Sequence, residues 1–199
     1  MAGYGYVASA FITDERRGAV KYENPLIMVT DRKLDNIEDL LPVLEIVARD
    51  NKPFIIIADE IEGQALAALI MNTVRGSMKI AAIKAPRYGQ ERRNLLSDLA
   101  LSVGATFITR ESGIDLKEAK LEHLGKAKTI ESLKYFTTIV DGKGDSDEIE
   151  KRIDALKVEI EQTDDMHECE KIQDRITRLA SGIAVIKVGA ATEIEMIEK

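Results

Sequence analysis

The sequence predicts an α/β protein, and three observations carry the prediction. Through the middle of the chain, short aliphatic runs alternate with amphipathic segments in the order strand, helix, strand, helix, strand, helix, strand. The segments between the apolar runs are long enough to cross over between parallel strands. Turn-forming clusters punctuate the alternation: Asn51-Lys52-Pro53, Arg75-Gly76, Lys84-Ala85-Pro86, Gly104 and Asp141-Gly142-Lys143-Gly144.

In chain order, residues 7–12, 19–23 and 26–29 read as strands. Residues 40–49 read as a helix because Leu40, Val43 and Val47 recur at spacings of 3 and 4. Pro42 is tolerated only in a first turn, which fixes the helix start near Leu40 or Leu41. A strand over 54–58 and a helix over 62–74 follow, then a strand over 79–83, a helix over 90–101 and strands over 106–109 and 135–140. Residues 147–162 carry one apolar stripe, Ile149, Ile153, Leu156 and Ile160, and residues 165–180 carry a second, Cys169, Ile172, Ile176 and Leu179. Joined by the polar turn Thr163-Asp164-Asp165, the two stripes predict an αα-hairpin packed on the sheet, closed by a left-handed cap at Gly182. Cys169 belongs to the stripe and reads as a small core residue. A last strand is predicted over 183–188.

Composition limits the function classes. The 199 residues suit one large domain or a domain with an appendage, and 45% apolar residues suffice for a sizeable core. Aromatics make up 5% and Trp is absent, so aliphatic side chains must fill that core. A net charge of −7 argues against a protein that tracks nucleic-acid phosphates. The single Cys169 excludes an internal disulfide framework and fits a reducing compartment. No apolar run approaches the roughly 18 residues that span a bilayer, so a soluble, intracellular chain with no membrane partner is expected. Both ends look cut: the chain enters an apolar run almost at once, and Thr192-Glu193-Ile194-Glu195 is a capping box opening a helix that stops at Lys199. A piece of a longer protein is the expectation.

Two helices carry more apolar surface than one buried face requires. In residues 40–49, Leu41, Leu44 and Ala48 form a second stripe, rotated by about 100° from the first. In residues 65–71, seven consecutive apolar residues cover the whole circumference. Such a helix is either buried all round or shows apolar surface for a purpose. If each helix buries one face on the sheet, the outer faces frame a groove lined by Leu41, Leu44, Leu66, Ile70 and Met71, with Asn72 at its edge. Met suits a surface that accepts varied partners.

Catalytic constellations are not found. Asp59-Glu60 follows a strand end, but adjacent side chains there point apart and no His, Ser or Cys completes a set. His123 and His167 have no ligand-spaced partner and read as surface histidines. Gly142-Lys143-Gly144 before a helix could cradle an anion, but Asp141, Asp145 and Asp147 would repel one.

The run from Ile61 through Glu62-Gly63-Gln64-Ala65-Leu66-Ala67-Ala68-Leu69-Ile70-Met71 to Asn72 resembles the apical domain of the group I chaperonins, the GroEL family. So do Lys84-Ala85-Pro86 and Ala184-Val185-Ile186-Lys187-Val188-Gly189-Ala190-Ala191-Thr192-Glu193. The likeness runs almost end to end and includes Leu41-Pro42-Val43-Leu44-Glu45, Leu121-Glu122-His123-Leu124-Gly125 and Asp141-Gly142-Lys143-Gly144. It implies an apical domain over residues 1–182, built of layered sheets flanked by helices, and the start of an intermediate domain over 183–199. It also implies binding of non-native polypeptides and of a GroES-type co-chaperonin loop between the two apolar helices. By position the matching residues are Tyr6, Ala10, Phe11, Leu41, Leu44, Leu66, Ile70, Met71 and Asn72, with Glu193 at an interdomain or inter-subunit contact. A homo-oligomeric ring, ATP and Mg are implied for a full-length parent, whose phosphate-binding motif is absent from this sequence. The fragment itself is expected to bind peptide and hydrolyse nothing, without cofactor or metal. The implied compartment is the cytoplasm, an organellar matrix or the cytoplasm of a phage-infected host.

The sequence departs from the family pattern at several points. Tyr4 stands where an Arg is usual, Ala8-Ser9-Ala10-Phe11 replaces Ser-Pro-Tyr-Phe, and Arg87-Tyr88 replaces a Gly-Phe. Gln64 and His123 replace acids. These changes suggest a divergent lineage with altered substrate preference. Two rival readings follow from the residues alone: an α/β enzyme domain using Asp59 and Glu60, and an assembly module whose apolar helices only join subunits.

Overall fold

The computed structural model of the chain describes residues 8–85, 89–134 and 136–187. It is a mixed α/β fold, as the alternation predicts. The strands are β1 (Val20–Glu23), β2 (Leu26–Thr30), β3 (Lys33–Leu34), β4 (Phe54–Ala58), β5 (Glu60–Ile61), β6 (Ile80–Lys84), β7 (Phe107–Ile108), β8 (Gly125–Ser132), β9 (Phe136–Gly142) and β10 (Ile183–Lys187). The helices are α1 (Leu41–Asp50), α2 (Gly63–Val74), α3 (Gly89–Val103), α4 (Ser146–Glu161) and α5 (Met166–Ser181).

The predicted crossovers produce parallel pairing. β2 runs parallel to β4 with Leu26 opposite Phe54, and β4 runs parallel to β6 with Phe54 opposite Ile80. Every residue of β2 and β4 is buried, the unbroken apolar pattern of strands covered on both faces. On its other side β2 pairs with β7 in parallel and with the first residues of β8 in antiparallel fashion. The rest of β8 pairs antiparallel with β1 and β9, and β9 with β10. β8 therefore joins the parallel half of the sheet to an antiparallel half. β10 pairs with β9 along its whole length, so residues 183–187 extend the same sheet that the preceding residues build.

Four features differ from the sequence reading. Residues 8–12 do not extend into a strand. Phe11 N–H bonds Ala8 O and Ile12 N–H bonds Ser9 O, closing a 3-10 turn over Ser9–Phe11. The turn lets Phe11 bury completely beside α2, and one large aromatic in the core outweighs a weak alternation. Val7 lies outside the described residues. Second, β8 had no counterpart in the reading, nor did the short parallel pair β3–β5. Third, the αα-hairpin packs on α3 as well as on the sheet, which it meets at its last strand, β10. Its buried residues Ile153, Leu156, Ile172, Ile176 and Leu179 form a cluster of their own, joined by Leu101 of α3. Asp98 of α3 pins it there, accepting from Arg152 Nη1 at 2.7 Å and from Arg175 Nε and Nη2 at 2.6 and 3.0 Å. Fourth, His123 is not a surface histidine. Its ring is mostly covered, and Nδ1 accepts from Lys120 N–H at 3.0 Å, closing the turn Leu121–His123.

The hairpin is otherwise as predicted. Asp145 caps α4 by accepting from Asp147 N–H, Asp165 caps α5 by accepting from His167 N–H, and Gly182 takes the left-handed conformation. Cys169 departs from its expected place in the core: it lies half-buried at the turn, its sulfur 3.6 Å from Thr163 O. His167 is exposed.

Candidate functional site

α1 and α2 link the parallel strands β2, β4 and β6, so they run in the same direction, and one chain segment meets the start of both. Asn36 accepts from Glu38 N–H to start the 3-10 turn Ile37–Asp39, and Leu40 N–H bonds Ile37 O to lead into α1. One residue earlier, Asp35 O accepts from Ala65 N–H in the first turn of α2. Both helices pack on Ile37–Asp39. At the far end, Val47, Ala48, Asn51 and Lys52 face Gly76, Ser77, Met78 and Lys79 across a cavity of about 90 Å³. Asn51 ends α1 in the left-handed conformation, with its N–H on Val47 O.

The faces divide as the spacing requires. Leu40, Val43 and Val47 are wholly buried, the inward stripe of α1. Leu41 stands 46% exposed. Leu44, expected on the outer face with Leu41, is only 5% exposed: it joins the core, so α1 shows one large apolar side chain rather than two. In α2, Ala65 and Leu69 are buried, and Leu66 and Ile70 lie half-buried against the core. Met71 is 50% and Val74 69% exposed. Asn72 spends its side-chain amide on its own helix, Nδ2 donating to Ala68 O at 2.9 Å, and its backbone carbonyl accepts from Ser77 and Met78 N–H.

Of the remaining expected residues, Ala10 is half-buried and Phe11 wholly buried in the 3-10 turn that packs on α2. Tyr6 and Glu193 lie outside the described residues. Two exposed residues were missed. Val74 continues the line of Leu66 and Ile70 at spacings of 4, so the same periodicity could have found it. Leu121 is exposed on the turn that packs against α1, in a polar stretch that gives no sequence signal.

The candidates for chemistry are held in other roles. Asp59 pairs with Arg92, and Glu60 Oε1 lies 2.8 Å from Lys84 Nζ. The amides after β9 are engaged: Lys143 N–H bonds Lys126 O, and Gly144 N–H bonds Ser102 O. A Cβ on Gly142 or Gly144 would meet the backbone oxygens of Ser102 or Leu101 at 2.4 or 2.1 Å. These two glycines let the end of α3 dock directly on the strand backbone, a packing role rather than an anion cradle. Among the described residues no group of three His, Cys, Asp or Glu is placed to hold a metal ion. No helix among them is long and apolar enough to cross a membrane. No protein-family model matches the sequence.

Proposed function

We propose that the chain is a polypeptide-binding domain of the group I chaperonin kind, and that it captures exposed apolar segments of non-native proteins along α1 and α2. The observation that carries this is the aliphatic surface these two neighbouring helices leave open: Leu41, Met71 and Val74 exposed, with Leu66 and Ile70 half-exposed beside them. Apolar side chains left exposed on ordered helices favour a partner that covers them. The mixed α/β class is the one that the family resemblance implies.

Each covered apolar side chain contributes roughly 1.5–3 kcal/mol. Three or four anchors, set against an association cost of about 4 kcal/mol or more, leave binding micromolar or weaker for one domain. A ring of such domains in a full-length parent converts weak sites into avidity. ATP, Mg, the ring and the GroES-type lid belong to that parent and rest on the resemblance alone. Phe11 supports α2 from within the core in this reading, since it is wholly buried in the turn that packs on the helix.

The test is a fluorescence-anisotropy titration of an amphipathic peptide into the chain and into a Leu41→Glu/Met71→Glu variant. Both positions are exposed, so the charges leave the core intact, which circular dichroism checks. Micromolar binding that the double charge abolishes is expected. Equal binding by both proteins would move the site elsewhere. Self-association that the same charges abolish, without peptide binding, would instead favour the assembly-module reading.

A further inference from the structure

Away from α1 and α2, a cleft of about 330 Å³ opens at the carboxyl ends of β2 and β7, lined by Asp31, Arg32, Lys33, Arg93, Arg110 and Glu111. β2 leads through α1 to β4 on one side, whereas β7 is reached from β6 through α3 and pairs on the other side. Strand ends whose connections diverge in this way are where parallel sheets open a ligand crevice. The floor is rigid: Thr30 Oγ1 donates to Ile108 O at 2.7 Å, and Arg32 N–H donates to Thr30 Oγ1 at 3.1 Å.

Charge in the cleft is unbalanced. Lys33 is taken by Glu62 at 3.0 Å, and Arg93 by Asp31 at 2.6 Å. Arg32 Nε is shut off from solvent with no hydrogen-bond partner among the described residues. A buried guanidinium N–H without an acceptor is costly, so Arg32 gains by turning toward an anion held in the cleft. Arg110, on the exposed loop after β7, lines the same cleft. The second contact of Arg93, to Glu111 Oε1, is long at 3.3 Å, and Glu111 is 72% exposed. Its own backbone N–H and Arg93 hold the Glu111 carboxyl below the ordinary value, so it stays ionised.

We propose that this cleft binds a compact phosphate-type dianion between Arg32, Arg110 and Arg93, with Glu111 swinging out to make room. Guanidinium groups lining one cleft match the oxygens of a phosphate better than they match a chloride. Glu111 is then a competing anion that the ligand displaces.

The test is a backbone-amide NMR titration of the full chain at fixed ionic strength, with inorganic phosphate, glycerol phosphate and sodium chloride in separate arms. Saturable shifts at residues 30–33 and 108–112 are expected with the phosphates and not with chloride. Arg110→Ala should weaken binding about tenfold or more, the loss of one charge-assisted contact. Glu111→Gln should tighten it, because it removes the competitor. Both residues are exposed, so neither change disturbs the core. Glycerol phosphate binding at least as well as phosphate assigns the site to phosphorylated small molecules, and phosphate alone binding assigns it to the free anion. Equal shifts from chloride, or unchanged affinity in both variants, would overturn the proposal.

Discussion

Asp98 carries two arginines from helices 54 and 77 residues further along the chain, and no partner near in sequence announces that role. In the sequence it interrupts the apolar run Leu95, Leu96, Leu99 and Ala100, a position where an unpaired carboxylate would be costly. That interruption is the only local hint, and it names no partner. Asp98→Ala leaves Arg152 and Arg175 half-buried without their anion and should lower stability by about 3 kcal/mol in urea unfolding. A loss within error would mean that water replaces the carboxylate. Gly144 shows the same limit in reverse. The turn signal Asp141-Gly142-Lys143-Gly144 was legible, but its use was not, because the backbone it admits belongs to Leu101 and Ser102. Gly144→Ala forces that backbone apart and should cost about 1–3 kcal/mol by the same measurement.

At the scale of elements, periodicity marked helices well and strands only where they were apolar. All five helices lie within two residues of their expected bounds, since 3 and 4 spacings persist over many residues. β8 escaped because its exposed positions include Lys126 and Lys128 and its buried ones include Gly125, Ala127 and Ser132, none a strong strand former. Neighbours on both sides hold it in the sheet, and one of its buried groups is the Ser132 hydroxyl, 2.8 Å from that of Thr137. Residues 7–12 failed the other way: an apolar run was read as a strand, but the described part folds into a turn around Phe11. In α2 the sequence left open whether an all-apolar circumference meant full burial. The structure divides it, burying Ala65 and Leu69 and exposing Met71 and Val74. Paired substitutions read that division directly. Leu69→Ala should cost about 2–5 kcal/mol, the cavity cost of a core leucine. Met71→Ala should stay within about 0.5 kcal/mol, as at other surface positions. Comparable losses at both positions would mean that something covers the outer face of α2.

Among the described residues the buried apolar side chains form two clusters, a large one on the sheet with α1, α2 and α3 and a small one inside the αα-hairpin. The small cluster meets the rest at Leu101, at the Asp98 arginines and where α5 packs on β10, a narrower contact than the strands of the main core make with one another. Helices held by a satellite cluster open locally at lower free energy than the strands of the main core. Native-state hydrogen exchange should therefore show amides of α4 and α5 exchanging well before those of β2, β4 and β6. One common exchange free energy for hairpin and sheet would show a single cooperative unit instead. The same division bears on function. α1 and α2 draw their support from Ile37–Asp39, β6 and the turns at Ser9–Phe11 and Leu116–Glu118, and the hairpin packs on none of these. Asp98→Ala should accelerate exchange in α4 and α5 while leaving peptide affinity at α1 and α2 unchanged. A parallel loss of peptide binding would show that the hairpin, through α3 and the sheet, sets the spacing of the two apolar helices.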